Sequence, residues 1–207
     1  MNPGTKQGER PVDPRVERSR QVILRAALGE LGELGYGAFT IESVAARAGV
    51  GKSTIYRHWA DKLALIADAF QTLHEQEGPD IASGSPRQRV ERIMRHVAEV
   101  VAGSTFSKCI PALIDGAERD EAVREFHHRF QIEARRPLVA IIAEGIAAGE
   151  FPPHLDPELA ALALLGAIFY RRLMSSDPFD PDGAGVLVDT VLASPAAASA
   201  RQRRRKG

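Results

Sequence analysis

Within the seven residues 52–58, Lys52, Ser53, Thr54, Tyr56, Arg57 and His58 supply two cations, two aliphatic hydroxyls, a phenol and an imidazole. The one interruption is Ile55, which with Trp59 four residues on marks an apolar face. Side chains of these types recognise nucleic acid: cations and hydroxyls bind phosphate oxygens, and the same groups read donor and acceptor patterns on base edges. A helix this short has little structural reason to carry so many unpaired polar groups, but it fits the major groove of duplex DNA. Gly51-Lys52-Ser53-Thr54 also resembles the end of a nucleotide-binding phosphate loop. That loop needs an earlier glycine where Ala46 stands, and a preceding strand where the pattern is helical, so nucleotide binding is excluded.

The elements that must hold these groups are legible on either side. A polar, Gly/Pro-rich arm is expected over 1–14, then a helix over 15–34 whose Ile23, Leu24, Ala27, Leu28, Leu31 and Leu34 repeat at three-and-four spacing. Gly35 and Gly37 stop it. Thr40 is a good N-cap for a short second helix with Glu42 and Ser43 in its first turn, and Gly49 permits the left-handed residue that ends it. Ala45, Ala48 and Val50 are small enough for two helices to cross closely. The polar-crowned helix is expected over 52–59, and a fourth helix, capped by Asp61, over 62–77.

Residues 78–86 read as a linker. Beyond it the pattern predicts helices over 87–102, 110–115, 120–148, 157–174 and 181–193, with prolines at 86, 157 and 181 in first turns. There is no useful β-alternation. The chain is therefore expected to be all-α: an N-terminal three-helix DNA-binding domain (15–62) with a helix-turn-helix, a larger C-terminal helical domain (63–193), and a disordered basic tail (194–207). Charge agrees with that division. Residues 1–62 carry ten Lys/Arg against seven Asp/Glu, residues 63–200 carry twelve against twenty, and the last seven residues add five positive charges. A basic front on an acidic body suits a molecule that presents one surface to a polyanion. No apolar run spans a membrane and no secretory h-region opens the chain, which points to the cytoplasm. Cys109 is the single cysteine, so neither an intrachain disulfide nor a cysteine zinc site is available.

The block 23–65 resembles the TetR family of transcription regulators. The resemblance rests on Gly35-Tyr36, Phe39-Thr40, Val44-Ala45, Ala48-Gly49-Val50, Thr54-Ile55-Tyr56-Arg57-His58-Trp59 and Lys62-Leu63. It implies a repressor whose Thr40, Tyr56, His58 and Lys62 hold phosphates while Lys52, Ser53, Thr54 and Arg57 lie nearest the base edges. Arg18 or Arg20 would add backbone contacts. It further implies a C-terminal domain that dimerises and holds a small-molecule effector. A moderate match of the C-terminal part runs through Ile110-Pro111-Ala112-Leu113, Ala148-Gly149-Glu150 and Asp156-Pro157-Glu158.

The residues themselves also speak for a dimer. Leu159 to Tyr170 is apolar nearly all round, and such a helix must be buried either against a partner copy, through about 157–193, or inside its own domain. A two-fold pair would place its reading helices roughly 34–36 Å apart on a palindromic double-stranded operator. His96, Phe106, Cys109, Phe126, Phe130, Ile142, Phe169 and Tyr170 are candidates to line an effector site, with ordinary packing as the alternative. Arg135-Arg136 is a candidate for an anionic effector. His127-His128 cannot share a helix face, so no metal site is expected, and no cofactor motif or catalytic constellation is present. A helical enzyme and an effector-independent architectural DNA binder stay open as alternatives.

Overall fold

A computed structural model describes residues 14–74 and 78–193. The expected arm (except Pro14), the end of the fourth helix near Glu77 and the basic tail lie outside the described residues. Among the described residues the structure is all-α. α1 (Pro14–Ala38), α2 (Ile41–Ala48), α3 (Lys52–Tyr56) and α4 (Lys62–His74) precede the linker, and α5 (Pro86–Gly103), α6 (Thr105–Arg119), α7 (Glu121–Ala147), α8 (Pro157–Met174) and α9 (Ala184–Leu192) follow it.

Caps explain most boundaries. Asp61 accepts from the Ala64 N–H at 2.8 Å, Ser85 and Gln88 form a reciprocal capping box, and Asp120 and Asp156 cap α7 and α8. Four expectations need correction. α1 continues through a kink at Gly35 (φ 78°) to Ala38, and Leu34, expected on its apolar face, is half exposed. α3 stops at Tyr56 instead of 59. The last element divides into a 3-10 turn, Pro181–Gly183, and α9. α6 is more than twice the length expected from 110–115, because Ser104 caps a helix that runs straight through Pro111.

Proline has no N–H, so within α6 the carbonyl of Ser107, four residues back, loses its helical partner. Arg172 of α8 supplies the replacement. Its guanidinium donates to the Ser107 carbonyl at 3.1 Å and to the Ser107 hydroxyl at 2.6 Å. Ser107 is itself buried, so an unmet carbonyl there would be costly.

Two apolar cores result. The first joins Ile23, Leu24, Leu31, Phe39, Val44, Ile55, Leu65 and Phe70 of the N-terminal helices to Cys109, Leu113 and Val123 of α6 and α7. The second lies among α5 to α9 around Met94, Ile142, Leu164 and Ile168. Phe106 packs against both. α6 is thus the element between them, and Cys109 fixes it to α1 by donating its thiol to the Leu28 carbonyl at 3.3 Å. Burial pushes that thiol up to about 11, which keeps it protonated.

Candidate nucleic-acid interface

The helix-turn-helix is built by its caps. Thr40 is extended (φ −135°, ψ 154°), its hydroxyl oxygen accepts the Ser43 N–H at 3.1 Å, and the Ser43 hydroxyl donates to the Thr40 carbonyl at 2.9 Å. At the other end Gly49 is left-handed (φ 68°, ψ 32°), with its N–H on the Ala46 carbonyl at 3.3 Å and the Val50 N–H on the Ala45 carbonyl at 3.0 Å. Those two bonds are the paired signature of a Schellman ending, which delivers the chain directly into α3.

α2 is strapped to α1 by Arg47, which donates to Glu33 at 2.8 and 2.6 Å and to Glu30 at 3.0 Å. The hydrogen bond from Arg47 holds the Glu33 carboxyl below its ordinary value. The far side of α3 is held by Trp59, buried with Ile55; its indole donates to Asp68 of α4 at 2.8 Å. The other oxygen of Asp68 accepts from Arg20 of α1 at 2.6 Å. Asp68 therefore ties three elements together behind the reading helix. Neither Arg47 nor Asp68 stood out in the sequence, because their partners are 9 to 48 residues away and no local spacing signals them.

With Ile55 and Trp59 turned inward, Lys52, Ser53, Tyr56, Arg57 and His58 all face solvent, Tyr56 at 53% exposure, and Thr54 is half-buried. Lys52 is paired with Glu42 at 3.0 Å, which raises the lysine and lowers the carboxyl from their ordinary values. Arg57 folds back on its own helix, donating to the Ser53 carbonyl at 3.3 Å and the Thr54 hydroxyl at 3.1 Å. His58 rests tilted against the Trp59 ring, centroids 5.3 Å apart. Lys52, Arg57 and His58 are themselves exposed, so a phosphate or base edge can compete for them. Thr40, also exposed, spends its hydroxyl on the cap. Lys62 is half-buried, donating to the Tyr36 carbonyl at 3.3 Å with its ammonium 4.0 Å over the Tyr36 ring. Of the two arginines expected near the start of α1, Arg20 is engaged by Asp68, and Arg18 is exposed.

The expected effector liners fall in separate places. Phe106, Phe126 and Phe130 gather with Phe70 of α4, each ring 5.3 to 6.0 Å from Phe70 and edge-on to it. Cys109 shares that core. His96 lies apart, in an open groove with Arg92, Arg95 and Glu99 on α5 and 78–80 of the linker. Ile142 and Phe169 pack in the second core, and Tyr170 is 67% exposed on the outside of α8. Arg135 is paired with Glu158 and Arg136 with Glu133. Phe70 was the residue missed: it lies at the centre of the aromatic group although its own sequence context is plain α4.

A tight two-helix turn with a polar-crowned second helix, packed on a larger helical body, is the build of a DNA-binding transcription regulator. The sequence matches the bacterial regulatory proteins of the tetR family over residues 23–69 and the tetracyclin repressor-like C-terminal domain over residues 80–191. The chain belongs to the tetR family. YdeS of Bacillus subtilis, an uncharacterized HTH-type transcriptional regulator, is 33% identical over 165 residues, 79% of this chain and 83% of YdeS. The DNA-binding transcriptional repressor TetR of Mycobacteroides abscessus is 29% identical over 184 residues, 86% of this chain and 94% of its own. In fold the chain is similar to the transcriptional regulator FadR of Bacillus subtilis, solved with stearoyl-CoA: TM-score 0.68 and 19% identity over 84% of this chain and 97% of that one.

Proposed function

We propose that this regulator is a repressor that binds a palindromic operator as a homodimer and is released by a small-molecule effector. The observation that carries it is the division of the segment 52–59: Ile55 and Trp59 are buried, while Lys52, Ser53, Tyr56, Arg57 and His58 stand in solvent. In this reading Lys52, Ser53, Thr54 and Arg57 meet base edges, and Thr40, Tyr56, His58 and Lys62 meet phosphates. Residues 15–62 do the reading, and 63–193 pair the subunits and receive the effector. The mycobacterial relative's own description as a repressor supports the direction of regulation.

Dimerisation is supported by α8. Its inner side (Ala160, Ala161, Leu164, Ile168) is buried in the second core, but Leu159 and Leu162 are exposed at 66% and 47%, with Ala163, Gly166 and Tyr170 on the same side. α9 adds Val186, also exposed. A stripe of this kind on a soluble helix is a contact surface, and a second copy fits it because the same stripe faces itself across a two-fold axis. The effector is assigned to the aromatic group of Phe106, Phe126 and Phe130, where movement would reach α4 through Phe70. An effector releases DNA only if it binds the non-DNA arrangement more tightly. No catalytic role is assigned, and the site of action is the cytoplasm.

The test is binding to a labelled duplex covering the DNA upstream of the chain's own reading frame. Replacing Tyr56 and Arg57 together with alanine should abolish binding while helicity and mass stay the same; binding that survives would overturn the proposal. Log affinity should also fall steeply and linearly with log salt.

A further inference from the structure

Lys62 and Asp120 are 58 positions apart in the sequence and are joined in space by one side chain. Tyr36 follows the Gly35 kink and is buried at 7% exposure. Its carbonyl accepts from the Lys62 ammonium at 3.3 Å and its ring lies 4.0 Å beneath that ammonium. At the opposite end of the ring the hydroxyl donates to an Asp120 carboxylate oxygen at 3.4 Å. Asp120 is the corner between α6 and α7: its N–H bonds the Gly116 carbonyl at 2.9 Å to finish α6, and its other oxygen accepts the Ala122 N–H at 2.9 Å to begin α7. The ring fits there because α6 presents a glycine, Gly116, where a Cβ would fall 3.0 Å from the Tyr36 ring.

We propose that Tyr36 and Asp120 are positioning residues for operator binding: the α6–α7 corner holds the Tyr36 ring, and the ring holds the Lys62 ammonium at its phosphate. This rests on the reading of Lys62 as a phosphate clamp. An ammonium has three donors, so the Tyr36 carbonyl leaves two for a phosphate, and the ring face attracts the cation without using a donor. Without such support a lysine presents its charge on a flexible four-carbon stem, and each contact must freeze that stem. The C-terminal body thereby sets operator affinity through a residue of the reading domain, with no need to move α3. Tyr36 is also pushed up to about 12, by burial first and by the charge and hydrogen bond of Asp120 next, so its hydroxyl stays a donor across the physiological range.

The experiment is a double-mutant cycle on the full chain with the same upstream duplex. Tyr36→Phe removes only the hydroxyl and leaves ring, carbonyl and fold. It should weaken binding roughly threefold, about what one modest hydrogen bond supplies, and lower the salt slope. Lys62→Ala should lower the slope by about one, as loss of one phosphate contact does. The proposal requires that Tyr36→Phe have no further effect on affinity or slope in the Lys62→Ala background. Asp120→Asn keeps one oxygen for the Ala122 N–H and turns its amide N–H toward the Tyr36 hydroxyl, whose oxygen can accept it, so it should bind nearly as wild type, whereas Asp120→Ala should behave as Tyr36→Phe. If Lys62→Ala is effective but Tyr36→Phe is silent, or equally harmful in both backgrounds, the positioning role is overturned and the clamp survives. If Lys62→Ala is itself silent, the clamp reading fails and the proposal with it.

Discussion

Removing the Asp68 carboxylate should destabilise the reading domain by about 2–4 kcal/mol and weaken operator binding although Asp68 itself faces away from the crown. The magnitude has two parts. The Arg20–Asp68 pair is 2.6 Å long, but its side chains are 32% and 26% exposed, so solvent screens it and it contributes about 1 kcal/mol, well short of a buried pair. The Trp59 indole is different. Trp59 is 5% exposed, and Asp68→Ala leaves its N–H buried without an acceptor, which costs about 1–3 kcal/mol. Asp68→Asn keeps its one oxygen for the indole and gives up the pair with Arg20, so it should cost about 1 kcal/mol. Urea unfolding with Trp59 fluorescence, the chain's single tryptophan, reads both variants at the site concerned. Operator affinity should fall in the same order, because Trp59 follows α3 and fixes its far end. The reasoning fails if Asp68→Ala lies within about 0.5 kcal/mol of wild type, or if Asn costs as much as Ala.

Gly49→Ala places a Cβ in open space but on a left-handed residue, so it should cost about 1–2 kcal/mol from backbone strain alone, with Gly49→Asn milder; thermal unfolding of both checks this. Leu162→Glu should convert the proposed dimer to monomers in sedimentation velocity and lower operator affinity at nanomolar protein, and a dimer mass unchanged by the substitution would move the interface off α8. His127 is lowered from its ordinary value near 6.5 by burial first and by His128 next. The unfolded chain therefore takes up this proton more readily than the folded one, and stability should decline as pH falls through about 6.5. That decline should be shallower in His127→Gln, measured by unfolding midpoints between pH 7.5 and 5.5.

What could be read from the sequence is what local physics decides. Thr40, Gly49, Asp61, Asp156 and the first-turn prolines act within four residues of themselves, and the elements they bound appear where their types require. The inward turn of Ile55 and Trp59 follows from their spacing, and with it the outward turn of the crown. The errors have equally definite causes. The expected helix starts at 110, with Pro111 in its first turn, because nothing local shows that Arg172, 61 positions later, satisfies the carbonyl a mid-helix proline strands. The end of α3 at Tyr56 has no local signal, since the Arg57 and Trp59 N–H groups still bond the carbonyls of Ser53 and Ile55. The aromatic residues suspected of lining one site carry no information on which of two cores each joins, and only the packing of α6 between them separates Phe126 and Phe130 from Phe169, with Phe106 against both. Asp120 opens an expected helix and Tyr36 belongs to the family motif, but their pairing is tertiary.

The bond from Arg172 to Ser107 gives the history of this chain a direction. With Pro111 present, losing Arg172 strands a buried carbonyl. With Pro111 replaced by a residue bearing an N–H, α6 closes its own ladder and Arg172 becomes dispensable. The two positions can therefore change freely only in one order, proline first. A relative that has lost the arginine while keeping the proline must have found another donor for that carbonyl, and the place to look for it is the face of α8 that meets α6.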